Sequence, residues 1–198
     1  MAAAVTTARG IPQRKPPVVP SAVIATLVLV LTEIMYFSSL VSSYNVIRAQ
    51  LFGAWAPPGD VRLPIAATAF NTGLLVISGV TMWFANRLFK KVETRKAAQL
   101  LFGLTITLGT CFVAFQGYEW VKLVQYGMTM QSGIFGAIFY LVIGSHAAHV
   151  LGAVLVMAYL YVKMVKGRLS TGAMQGMSLF WLFVVLVWPL LYRMVYFA

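Results

Sequence analysis

The chain has 198 residues, of which 61% are hydrophobic and only 10% charged, and its mean hydropathy is +0.86. Soluble domains carry about 25% charged residues, so this composition excludes an ordinary water-soluble domain and points to an integral membrane protein. The formal net charge of +11 does not imply nucleic acid. Its basic residues sit at the ends of apolar runs, where lipid headgroups and topology account for them.

The first 20 residues, MAAAVTTARGIPQRKPPVVP, are basic and proline-rich and read as an irregular tail. The apolar run that follows is too long for a signal h-region and has no clear small-residue cleavage site, so it reads as a retained span. About 20 apolar residues are needed to cross the hydrocarbon core. Five segments qualify: residues 21–47, 64–88, 97–121, 131–162 and 175–197. The runs are continuous rather than alternating, which excludes a closed barrel. The predicted fold is all-α: a polytopic membrane protein, one domain over residues 21–198, built as a bundle of five transmembrane helices. No internal repeat is apparent, unlike the paired halves of inverted-repeat transporters.

Span one carries Glu33 about 12 residues from either end, roughly 18 Å deep at 1.5 Å per residue. A carboxylate at that depth must be protonated, paired or hydrated. The Pro/Gly-rich loop LFGAWAPPGDVRLP predicts a fixed turn, with Trp55 as an interfacial anchor. In span two, Asn71 and Thr72 are interhelical hydrogen-bonding groups. The loop KKVETRK reads as a solvated headgroup-side turn. Span three holds the lone Cys111, which reads as an inert buried thiol. It ends in FQGYEWVKL, where Gln116 and Glu119 form a secondary polar site or an interfacial cap, with Lys122 in reach of Glu119.

Span four contains IGSHAAHVLG, with both histidines of the chain, His146 and His149, spaced i,i+3 at the same depth as Glu33. The economical reading is a buried polar cluster of Glu33, His146 and His149 joining the first and fourth helices. Gly144, Ala148 and Gly152 fall at i, i+4 and i+8 and predict a helix-packing seam. Two histidines three apart on one helix cannot clamp opposite faces of a porphyrin, and no third histidine exists. With Glu33 they would offer three ligands to a metal, the lesser reading beside structural glue or a proton-linked role. In span five, Pro189 predicts a kink or an end.

Arg9, Arg14 and Lys15, then Arg87, Lys90, Lys91, Arg95 and Lys96, then Lys163, Lys166 and Arg168 all lie on one side if the helices alternate. The positive-inside rule then predicts N-in, C-out.

Five motifs, in order, resemble subunit III of the haem-copper terminal oxidases in its bacterial five-helix form. They are LTEIMYFSSLVSSYNVIR, AWAPPG, LPIAATAFNTGLLVISGVTMWFA, FQGYEW and GSHAAHVLGA. The resemblance implies a non-catalytic accessory subunit with no catalytic, cofactor-binding or metal residues of its own. Haem and copper would reside in the partner, oxidase subunit I, among other respiratory subunits. It further implies bound structural phospholipid, support of sustained proton uptake, and residence in a bacterial plasma membrane. Glu33, Glu119, His146 and His149 fall on the family's polar positions. The last helix departs, with Leu182 and Val185 where the family carries His and Asp. That departure also fits the subunit III-like protein accompanying nitric oxide reductases. The buried Glu33 fits a small proton-linked transporter as well, and a membrane-bound haem or metal enzyme is a third rival.

Overall fold

The computed structural model describes residues 19–51, 55 and 64–197. Five helices follow one another: α1 Ser21–Gln50, α2 Ile65–Phe89, α3 Arg95–Gln125, α4 Ile134–Val165 and α5 Thr171–Tyr196. All five are long and apolar enough to span a membrane, as the lengths of the apolar runs predict. Residues 1–18 of the predicted tail, and Asp60 and Arg62 of the first loop, lie outside the described residues.

Helix is the only open-ended way for a chain to satisfy its backbone in lipid, and the helix ends show how the chain leaves it. α3 and α4 close with glycine in the left-handed region, Gly127 at φ 87° and Gly167 at φ 67°. After each glycine the backbone turns back on the last helical turn. Met128 N donates to Leu123 O at 2.9 Å and Gly127 N to Val124 O at 3.0 Å. Arg168 N and Gly167 N repeat the pattern on Lys163 O and Met164 O, the paired bonds of a Schellman stop. α5 starts at Ser170, whose Oγ accepts from Ala173 N at 3.2 Å, an N-cap bond. Pro189 sits inside α5, which continues to Tyr196.

α2 and α3 form the most extensive helix pair, and α5 packs on α1, α2 and α4. α5 is therefore the central staff. Its Trp181 and Trp188 are fully buried and seven residues apart, hence on one face. α1 is peripheral: only Phe37 and Tyr44 of its 30 residues are buried. It lies along α5, and contact is closest where Gly176 faces it. A Cβ there would come 2.7 Å from Thr26 Oγ1 and 3.2 Å from the Ala22 carbonyl. α1 touches α4 far less than α5, so a groove remains between them.

Arg87, Lys90, Lys91, Arg95, Lys96, Lys163, Lys166 and Arg168 gather at the end of the bundle where α2 and α4 finish; it is called the basic end below. Aromatic side chains crowd the other end. There Trp55 is not a free anchor. Its ring packs edge-on between Tyr44 of α1 (5.1 Å) and Phe135 of α4 (5.2 Å).

Candidate functional site

Glu33 of α1 and His149 at the midpoint of α4 meet across the α1–α4 gap. Glu33 Oε2 lies 2.9 Å from His149 Nε2, and the side chains are 17% and 21% exposed. The ring is oriented from behind, because His149 Nδ1 is 2.7 Å from the Ser145 carbonyl oxygen. A carbonyl only accepts, so Nδ1 carries the hydrogen. The contact on Nε2 then holds one proton, placed on the carboxyl or on the imidazole. Either way the pair is neutral as a unit, the condition for residing at this depth.

One turn further along, Tyr36 Oη lies 2.8 Å from Ser145 Oγ. Ser145 Oγ already donates to Leu141 O at 2.7 Å, so the tyrosine is the donor. Two polar links thus tie α1 to α4, with the Phe37 ring 5.2 Å from that of His149 beside them.

His146 does not join this group. Its side chain is fully buried and its ring stacks on Trp188 of α5 at 4.9 Å. Phe112 and Phe37 meet it at 6.4 and 6.2 Å. Neither ring nitrogen has a hydrogen-bond partner among the described residues. The three-residue cluster expected from spacing and depth is therefore, in the structure, a pair plus an inward-facing ring. The reason is angular: successive α-helical residues turn by about 100°, so i and i+3 differ by about 60° in azimuth. α4 is rotated so that His149 reaches α1 and His146 enters the core. Among the described residues no three His, Cys, Asp or Glu side chains converge.

The α5 departures have a steric reading. Val185 is 5% exposed, and a Cβ on Gly79 would lie 3.1 Å from its Cγ1. An apolar branched side chain fills the α2–α5 contact there. The polar ties between those helices lie instead at Trp181, Trp188 and Tyr192, whose Oη donates to the Ile65 carbonyl at 2.9 Å. Trp181 Nε1 donates to Ser78 Oγ at 3.2 Å and Trp188 Nε1 to Thr72 Oγ1 at 2.8 Å. The sequence marked Thr72 as an interhelical hydrogen-bonding group, but neither its tryptophan partner nor the Trp181–Ser78 tie. The available signal was two tryptophans seven apart in α5 against hydroxyl residues six apart in α2.

Gln116 is buried, 3.4 Å from Asn71 Nδ2 and 3.5 Å from Tyr196 Oη. Asn71 Nδ2 also donates to the Phe112 carbonyl at 3.1 Å. Glu119, one turn on, faces Lys122 at 3.7 Å, while Lys122 Nζ sits 4.3 Å from the Tyr118 ring. Of the Gly144–Ala148–Gly152 stripe, Gly144 faces α3 and Gly152 faces open space among the described residues. Gly144 lies near Trp120, a Cβ on it being 3.7 Å from the indole, and a Cβ on Gly152 would meet nothing within 4 Å. Ala148 and Gly152 are exposed and line a groove of about 580 Å³ between α1, α4 and α5, together with Thr26, His149, Gly176 and Phe180.

Fold and site together define a polytopic, all-helical integral membrane protein with a neutral carboxyl–imidazole link between two of its helices. The sequence profile of "Cytochrome c oxidase subunit III" matches residues 12–198, and the chain belongs to that family. A "Probable cytochrome c oxidase subunit 3" of Nocardia farcinica is 30% identical over 179 residues, covering 88% of this chain and 87% of the relative. A "Cytochrome c oxidase subunit 3" of Corynebacterium diphtheriae is 33% identical over 179 residues, covering 88% and 86%. One of Bacillus is 28% identical over 167 residues, covering 83% and 79%. These relatives favour an accessory subunit III of a haem-copper oxidase over a nitric oxide reductase companion or a transporter.

Proposed function

We propose that the chain docks on the haem- and copper-bearing subunit I of a respiratory oxidase in a bacterial plasma membrane, lying N-in and C-out. The basic end, which would face the cytoplasm, supports that orientation. Electron transfer and oxygen chemistry belong to the partner. This chain's own residues shape and steady a membrane-embedded flank of the complex.

The observation that carries the reading is the Glu33–His149 contact of 2.9 Å. α1 buries only two side chains, so it depends on few ties to the rest of the bundle. The groove behind His149 is lined almost wholly by apolar and small residues and suits an acyl chain lying along α4. The pair therefore holds α1 at the spacing at which a phospholipid tail completes the packing. A subunit that keeps this flank intact supports assembly and sustained proton uptake without touching the redox centres.

The test is Glu33→Ala in the intact complex. The expected result is normal haem spectra with weaker retention of the subunit, or activity that decays faster during turnover. Loss of haem incorporation would overturn the accessory reading. Phospholipid retained at wild-type stoichiometry in His149→Leu and Gly152→Leu would overturn the lipid assignment.

A further inference from the structure

The face formed by α2 and α3 near the aromatic end carries a second opening, about 260 Å³, between Phe70 on one side and Phe115 and Tyr118 on the other. Among the described residues only α2 and α3 line that opening. The three aromatics are 67%, 48% and 58% exposed. Thr68, Asn71, Gln116 and Glu119 supply its polar lining.

Asn71 and Glu119 keep acceptor capacity that no cation inside the opening meets, and the Thr68 hydroxyl beside them also lacks a partner among the described residues. Asn71 is 3% exposed. Its amide nitrogen is used on Phe112 O and Gln116, and its Oδ1 has no partner among the described residues. Such a buried acceptor is costly to leave unmade. Glu119 is 16% exposed and its nearest cation, Lys122, is 41% exposed at 3.7 Å. Lys122 is drawn over the Tyr118 ring, outside the pocket. An acceptor amide and a carboxylate thus face an opening with an aromatic rim.

We infer that this pocket receives a lysine or arginine side chain from a transmembrane helix of a neighbouring subunit. The inference rests on the chain's being part of an oxidase complex. An aliphatic stem crossing an apolar rim with its cationic head on oxygens is the ordinary arrangement of a long basic side chain at a membrane. The Phe70, Phe115 and Tyr118 rings add cation–π attraction. The opening is far larger than an ion held by oxygens at about 2.3–2.6 Å requires. A phospholipid amine fits less well. Glu119 lies six residues inside the end of α3, about 9 Å below it at 1.5 Å per residue, and the lipid phosphate would follow the amine toward a carboxylate.

The experiment uses the whole complex, with p-benzoylphenylalanine replacing Phe115, and identifies photo-adducts by mass spectrometry. The expected adduct is a transmembrane peptide of another subunit, within one helical turn of a lysine or arginine. Its yield falls at least about tenfold in Glu119→Gln, where the pair's charge is lost, and partly recovers in Glu119→Asp. A lipid adduct, no adduct, or a yield indifferent to Glu119→Gln in a complex that still holds the subunit overturns this inference alone. A chain that copurifies with no oxidase subunit overturns the accessory reading as well.

Discussion

Replacing His149 with leucine strands the Glu33 carboxyl, because His149 Nε2 is the only side-chain hydrogen-bond partner Glu33 has among the described residues. Interhelical hydrogen bonds in membrane proteins are worth about 0.6 kcal/mol on average and about 1.7 at most. Leaving one polar partner behind adds roughly 1–3 kcal/mol. Both side chains are only about one-fifth exposed and lie near mid-span, where an unpaired polar group is costly, so the stranding term applies. His149→Leu should therefore destabilise the chain by about 2–3 kcal/mol. Glu33→Leu leaves a neutral imidazole whose Nδ1 still donates to Ser145 O at 2.7 Å, and costs less, about 1 kcal/mol. In the double variant nothing polar is stranded, so its cost should lie below that of His149→Leu alone by about 1 kcal/mol. The assay is reversible unfolding in mixed micelles of increasing sodium dodecyl sulfate, followed by helicity and closed as a double-mutant cycle. Additive effects, or a double variant worse than either single, would refute the idea that the pair forms one neutral unit.

Three further outcomes follow from the packing. Trp188→Phe keeps an aromatic ring on His146 but deletes the 2.8 Å bond to Thr72, costing about 1 kcal/mol in the same unfolding assay, whereas Trp188→Ala opens the core and costs about 3–5 kcal/mol. Gly176→Val drives a side chain into Thr26 Oγ1 and the Ala22 carbonyl. It should cost about 1–3 kcal/mol and be seen as faster amide exchange confined to the first turns of α1. Gly152→Ala meets no atom within 4 Å, so unfolding of the chain should change by less than about 0.5 kcal/mol.

The five spans were legible because lipid forbids unsatisfied backbone, so run length alone sets helix number and approximate ends. The depth of Glu33 and of the two histidines was legible for a related reason: a fixed rise per residue converts sequence position into height. Family motifs added which polar residues to watch. What remained hidden was azimuth. In a soluble bundle an amphipathic stripe marks the inner face, but here the lipid-facing and core-facing sides are equally apolar, and small residues rather than hydrophobic ones mark contact. The pattern therefore did not reveal that His149 turns toward Glu33 while His146 turns onto Trp188. It did not reveal that Gly152 faces open space whereas Gly176 sits against α1, or that Trp181 and Trp188 hydrogen-bond to hydroxyls of α2. By itself the sequence determined how many helices cross and how deep each polar group lies, since these depend on the backbone and its solvent. The rotation of each helix was decided only in the tertiary structure, where bulky rings and bare glycines choose their neighbours by shape.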